Sequence, residues 1–97
     1  MKLVWLDRAI HDRVAQLDYI AHDSIKSAVE QRDCSAKQVG LLADHPEMGR
    51  TGRMRGTREL VISGTPFIAV YRVTPKAGRI ELLRLLHGAQ RWPRSKR

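Results

Sequence analysis

The second half of the chain holds the side chains best suited to chemistry. His87 is the only histidine after residue 48, and Glu59 is one of two acidic residues there. An imidazole and a carboxylate can transfer protons, and arginine can stabilise anionic charge. A histidine at a strand end can equally make a structural hydrogen bond, which is the interpretation we favour for His87. Arg84 lies among apolar neighbours, and we expect it to pair with a carboxylate such as Glu59. Two further arginines of the predicted strands could play either role: Arg58 and Arg72.

Charge is divided unevenly between the two halves of the 97-residue chain. Residues 1–48 carry six Lys/Arg and eight Asp/Glu, a net charge of −2, whereas residues 49–97 carry twelve and two, a net charge of +10. A basic segment of this kind favours a polyanionic or acidic partner. A solvated basic surface that only aids solubility is the alternative, and charge alone does not separate the two.

The sequence does not contain the residue patterns that several other kinds of functional site require. Cys34 is the only cysteine, which excludes an internal disulfide and fits a reducing cytoplasm. No Cys/His cluster has metal-ligand spacing, and the glycine-rich segment is not followed by Gly-Lys-Ser/Thr, so we expect neither a metal nor a cofactor. No apolar stretch is long enough for a signal peptide or a membrane span, so we expect a cytoplasmic protein that has no membrane partner.

Hydrophobic periodicity predicts a single α+β domain over residues 1–97. An N-terminal strand precedes a helical hairpin, a mobile basic loop and a three-stranded antiparallel meander, and the strands form one sheet. A basic tail, 91–97, ends the chain. The predicted bounds, in chain order, are Lys2–Leu6, helices at 8–22 and 25–44, the loop Asp44–Gly56, and strands Thr57–Ser63, Phe67–Val73 and Arg79–His87.

Polar residues mark the boundaries of the two predicted helices. Asp7 is a candidate N-cap for the first helix, and Asp23-Ser24 can end it and cap the second. Arg32 and Ser35 fall where the apolar stripe of the second helix should continue. We therefore expect that helix to be frayed or lightly packed at its middle.

Alternation along the last two strands places apolar side chains on both faces of the sheet. Leu82 and Arg84 should share one face and Leu83 and Leu85 the other, as in a sheet covered on both sides. One hairpin can cover only one face. The other face either leaves an apolar, arginine-rimmed patch for a partner or is closed by the loop and the tail, with Trp92 folded back over part of it.

Four segments in this order and spacing resemble the RelE/ParE superfamily of toxins from bacterial type II toxin–antitoxin systems. The similarity spans nearly the whole chain and fits the predicted order of elements. The Leu-Leu-Arg-Leu-Leu-His ending is closer to the ParE-like branch. The segments are His45–Arg50, Gly56–Val61, Val70–Val73 and Leu82–Pro93.

The resemblance implies a protein partner and two alternative targets. RelE-like members cut mRNA on the ribosome, whereas ParE-like members inhibit DNA gyrase and have no known active site of their own. In both branches a flexible part of a cognate antitoxin wraps the toxin, so a hetero-oligomer is expected. An inactive member that still binds an antitoxin is the third alternative.

For a ribonuclease, the resemblance implies a base or acid and cations around the scissile phosphate. Ile68 stands where RelE-like ribonucleases usually have a phosphate-binding arginine, and the C-terminal tyrosine of some members is missing. We therefore favour gyrase inhibition without catalysis. The catalytic candidates, if the chain is a ribonuclease, are His87, Arg84, Arg58 and Glu59. The candidates for nucleic-acid or target binding are Arg50, Arg53, Arg55, Arg72, Arg91, Trp92 and Arg94.

Overall fold

The computed structural model describes residues 1–88 and 90–93, and it confirms the α+β class. Five strands form one sheet in the order β1-β5-β4-β3-β2; β1 is parallel to β5 and the other pairs are antiparallel. In chain order the elements are β1 (Lys2–Trp5), α1 (Asp7–Asp23), α2 (Ile25–Gly40), a 3₁₀ turn (Leu41–Ala43), β2 (Arg50–Thr51), β3 (Arg58–Val61), β4 (Phe67–Thr74), a second 3₁₀ turn (Pro75–Ala77) and β5 (Arg79–His87).

The basic loop is more ordered than its glycine and arginine content suggested. Two of its residues form β2, which pairs with β3 and makes the sheet one strand wider than predicted. The buried Tyr71 hydroxyl accepts from the Gly49 N–H at 2.9 Å and donates to the Pro46 carbonyl at 2.7 Å. A Cβ on Gly49 would lie 2.7 Å from the Tyr71 ring, so only glycine allows the chain to approach this closely.

The hairpin follows the predicted pattern, with two differences at polar residues. The Ser24 hydroxyl accepts from the Ser27 N–H and caps α2 as predicted. Asp7 is not the N-cap of α1: Leu6 holds that position, without a side-chain cap, and Asp7 begins the helix. Ser35 is 5% exposed and its hydroxyl donates to the Gln31 carbonyl at 2.7 Å, so this part of α2 is packed rather than frayed.

A β-bulge in the last strand pair changes which side chains share a face. Val70 lies opposite Arg84 and Tyr71 opposite Leu82, so one residue of β5 is skipped. As a consequence, both Leu82 and Leu85 enter the core. The predicted alternation had placed these two leucines on opposite faces of the sheet. The core fills the space between the hairpin and one face of the sheet, which is called here the inner face; the other is the outer face.

Helix α1 also covers the part of β5 that β1 leaves unpaired. The β1–β5 register ends at Leu82. The backbone N–H and C=O of Leu85, further along β5, therefore have no partner in β1. Asp12 accepts from the Leu85 N–H at 2.9 Å, and Gln16 donates to its carbonyl at 2.6 Å. Residues four apart on a helix lie side by side, so one helix face satisfies this strand edge.

Candidate functional site

The outer face of the sheet carries a buried carboxylate beneath two arginines, which together are called the Glu59 cluster. Glu59 alternates with the core residue Leu60 and so points outward. Its side chain is 0% exposed and accepts from the Arg50 side chain at 3.2 Å and from the Arg53 side chain at 3.1 Å. It also accepts from the Arg53 backbone N–H at 2.9 Å. These bonds hold the two arginines, which came from the predicted mobile loop, against the sheet.

The charge state of Glu59 follows from these contacts. Burial raises the pKa of its carboxyl, but hydrogen bonds from the side chain and backbone of Arg53 and from the side chain of Arg50 favour the ionised form. The net result is a pKa below the ordinary value. Glu59 is therefore an anion at neutral pH whose oxygens are occupied by arginine.

A second carboxylate repeats the arrangement on the same face, and this set is called the Glu81 cluster. Glu81 is paired in register with Arg72 and lies 2.6 Å from the Arg72 Nε and 2.7 Å from an Arg79 nitrogen. The hydrogen bond from Arg72 is the main reason that the pKa of Glu81 is lowered. Both arginine side chains remain nearly half exposed. The cluster therefore presents cationic surface to solvent.

Arg84 pairs with a carboxylate, as predicted, but that carboxylate is not the example named, Glu59. Its partner is Asp12 of α1, at 2.7 and 3.2 Å to the two carboxylate oxygens, and not Glu59. Both side chains are only 13% exposed. The Arg84 guanidinium also lies 5.3 Å from the centre of the Trp92 ring, a cation–π contact. Trp92 thus folds back toward the sheet, as expected for one of the alternatives considered for the tail.

The apolar side chains of the outer face are not the bare patch considered above. Val70 and Leu86 have no exposed surface, Ile68 is only partly exposed, and Val61 is 52% exposed. Exposed large apolar side chains occur instead on the hairpin and the 3₁₀ turn that follows it, where Ile25 is 73% and five others 39–79% exposed. The other five are Ile10, Val14, Tyr19, Val29 and Leu41. The sequence alone does not indicate that these side chains are exposed, because their exposure depends on how the helices pack against the sheet.

The structure does not bring the catalytic candidates together. His87 pairs with the core residue Phe67 and so lies on the inner face at the end of β5. Arg84 and Glu59 belong to the outer face, on the other side of the sheet. Arg58 donates to the Gly49 carbonyl at 2.8 Å and to the Glu47 carbonyl, and in this way also holds the chain before β2.

The remaining target-binding candidates are distributed around one edge and the outer face. Arg72 belongs to the Glu81 cluster, and Arg91 lines a polar cleft with Trp92, Arg84 and Arg8. Arg55 lies exposed in the turn between β2 and β3. Arg94 and the rest of the tail from 94 to 97 lie outside the described residues.

The described part of the chain offers neither a metal site nor a membrane-spanning helix. Among those residues, no group of three His, Cys, Asp or Glu side chains is placed to hold a metal ion. No helix within residues 1–88 or 90–93 is long and apolar enough to cross a membrane.

Comparisons with known proteins agree with the fold and with the order of its segments. A family profile described as "ParE toxin of type II toxin-antitoxin system, parDE" matches residues 3–92. A protein of Sinorhizobium fredii (strain NBRC 101917 / NGR234) named "Putative toxin Y4kP" is 33% identical over 93 residues, which are 95% of this chain and 93% of that protein. A solved structure titled "Chromosomal ParDE TA system from P. aeruginosa" superposes with a TM-score of 0.78 at 28% identity, covering 90% of this chain and 95% of that one.

These matches, together with the fold, place the chain among the toxins of type II toxin–antitoxin systems. Within that class it belongs to the ParE toxin family. The resemblance to the ParE-like branch, read from the strand motifs, is confirmed. Membership in this family implies a cognate antitoxin as partner.

Proposed function

We propose that this toxin acts by binding DNA gyrase, without a catalytic centre of its own, and that its antitoxin neutralises it by covering the same cationic surface. The observation that carries the proposal is the placement of His87 on the opposite side of the sheet from Glu59 and Arg84. A ribonuclease of this fold needs a proton-transfer group and cations around one phosphate. Separation by the sheet argues against such a centre among these residues.

The outer face offers what a protein partner needs. Arg50, Arg53, Arg72 and Arg79 are held by buried carboxylates yet stay 43–59% exposed. Arginines fixed in place lose little side-chain freedom on binding, and a positive field speeds encounter with an acidic partner. An antitoxin with an acidic segment, and an acidic surface of the target, would both fit this face.

A supercoiling assay with purified gyrase tests the proposal. The chain should inhibit supercoiling, and His87→Ala should inhibit equally because His87 lies away from the cationic face. Adding the antitoxin encoded beside the toxin should restore gyrase activity. Programmed ribosomes with labelled mRNA form the parallel arm: cleavage there that is lost in His87→Ala, without inhibition of gyrase, would establish the ribonuclease alternative. No effect in either assay would leave an inactive toxin that only binds its antitoxin.

A further inference from the structure

A polar cleft lies where the beginning of α1, the strand β5 and the segment after β5 meet. It has a volume of about 320 Å³, close to the lower end of the range for small-molecule sites. It is lined by Arg8, Arg84, Gln90, Arg91 and Trp92. Trp92 is partly exposed, and Arg8, Gln90 and Arg91 are exposed, so a ligand can reach the lining from solvent.

The cleft carries positive charge that no described carboxylate compensates. Arg84 is neutralised by Asp12, 2.7 Å away. Within the described part of the chain, no ion pair joins a carboxylate to Arg8 or Arg91. The paired arginines of the outer face differ in this respect, because each has a carboxylate partner. Two like charges in one cleft repel each other, and a bound anion would replace this repulsion with attraction.

The side chains of the lining offer hydrogen-bond donors and almost no free acceptor. Arginine has N–H donors and no acceptor, and the tryptophan ring has only a donor. The one side-chain oxygen of the lining belongs to Gln90 and already accepts from the His87 N–H at 3.2 Å. Asp12 binds two nitrogens of Arg84 and so holds that guanidinium in place. A ligand that fits this lining is therefore an anion with several acceptor oxygens.

We propose that this cleft binds a phosphate group. A terminal phosphate carries close to two negative charges at neutral pH, which matches the uncompensated charges of Arg8 and Arg91. Its oxygens suit the planar fork of a guanidinium, which binds phosphate in a bidentate manner. A carboxylate has a single charge and would leave one arginine uncompensated. The phosphate is either free or carried by a nucleotide, whose base would stack on the partly exposed ring of Trp92.

The inference goes beyond the proposed function, because inhibition of gyrase by protein contacts requires no phosphate site. Its test uses the isolated chain and small anions. A failure of the gyrase assay would therefore leave the phosphate site standing, and the reverse also holds.

Inorganic phosphate, titrated into the ¹⁵N-labelled chain at constant ionic strength, tests the proposal by nuclear magnetic resonance. Shifts should concentrate at the backbone and indole N–H of Trp92 and at the side-chain Nε–H of Arg8 and Arg91. Acetate at the same ionic strength should bind at least about tenfold more weakly, the equivalent of one charge-assisted hydrogen bond.

Three variants that each remove one positive charge separate a site from a general charge effect. Arg8→Gln and Arg91→Gln should each weaken phosphate binding about tenfold or more. Lys26→Gln removes a charge from an exposed position of α2, beyond the far end of α1, and should change binding less than about twofold. All three changes are at exposed positions, and the spectra of the variants show whether the fold is kept. Equal weakening in all three would mean that phosphate responds only to net charge, and would overturn the proposal.

Adenosine monophosphate distinguishes the two sources of the phosphate. Tighter binding than that of inorganic phosphate, with the gain lost in Trp92→Leu, would assign the cleft to a nucleotide, whereas equal binding would assign it to phosphate alone. Equal affinity for acetate and phosphate would indicate a carboxylate site suited to an acidic polypeptide and would reject the proposal. The absence of shifts at the cleft would reject it as well.

Discussion

Asp12 and Glu59 hold arginines in different ways. At the edge of β5, Asp12 holds one arginine, Arg84, that is itself only 13% exposed. On the outer face, Glu59 holds Arg50 and Arg53, which stay 59% and 43% exposed. In the first pair both charges are largely shielded from water, so each depends on the other. In the second, the arginines can return to water if the carboxylate is lost. The first arrangement stabilises the fold, and the second presents cations to a partner.

The largest expected effect is at the edge of β5. Asp12→Ala leaves the largely shielded Arg84 charge without its carboxylate and the Leu85 N–H without an acceptor, which should lower the free energy of unfolding by about 2–4 kcal/mol. Urea denaturation measures the change. Asp18→Ala, at an exposed position of the same helix, is the matched control and should change it by less than about 0.5 kcal/mol. A loss below about 1 kcal/mol in Asp12→Ala would remove the distinction between the two carboxylates.

Glu59→Gln should cost less, although its side chain is the more buried of the two carboxylates. The amide keeps one acceptor for the Arg53 N–H, and the exposed guanidinium groups of Arg50 and Arg53 regain water. We expect a loss of about 1–2 kcal/mol, close to that of one or two hydrogen bonds. Urea denaturation of the same preparations measures it. A loss equal to that of Asp12→Ala would mean that the outer arginines are as dependent on their carboxylate as Arg84 is.

Acid should weaken the Glu59 and Glu81 clusters of the outer face. The pKa values of Glu59 and Glu81 are both lowered in the folded chain from 4.5. Unfolding therefore favours proton uptake, so their contribution to stability is complete above about pH 4.5 and is lost as pH falls through the folded-state pKa values. Thermal unfolding between pH 7 and 3 measures the slope. Glu59→Gln combined with Glu81→Gln should flatten it, and an unchanged slope would assign the acid sensitivity to other groups.

Local pattern predicted the elements well because the physics that forms them is local. Period-two strands, the apolar stripe of α1 and the Ser24 cap appear at nearly the expected positions. The partner of Arg84 could not be predicted in this way, since Asp12 lies 72 residues away in the sequence. The choice between Glu59 and Asp12 depends on the packing of α1 along β5.

The candidate site on the outer face could not be predicted, because the features that form it leave no recognisable pattern in the sequence. A two-residue strand such as β2 has no periodicity, and its place is set by Tyr71 and the Glu59 cluster. The β-bulge beside Arg84 shifted the predicted faces of β5 by one residue. The sequence shows that the second half is cationic, but which arginines face outward follows only from the register.

The smallest expected effect tests whether the outer arginines are individually dispensable for folding. Arg50 makes one side-chain contact with Glu59, at 3.2 Å, whereas Arg53 contacts both carboxylate oxygens and adds its backbone N–H. Arg50→Ala should therefore change the free energy of unfolding by about 0–1 kcal/mol, as exposed ion pairs do, and Arg53→Ala should cost more. Urea denaturation at low and high salt measures both. If Arg50→Ala lowered the free energy of unfolding more than Arg53→Ala, the Glu59 cluster would stabilise the fold as the Asp12–Arg84 pair does. The exposure of its arginines would then no longer indicate a surface for a partner.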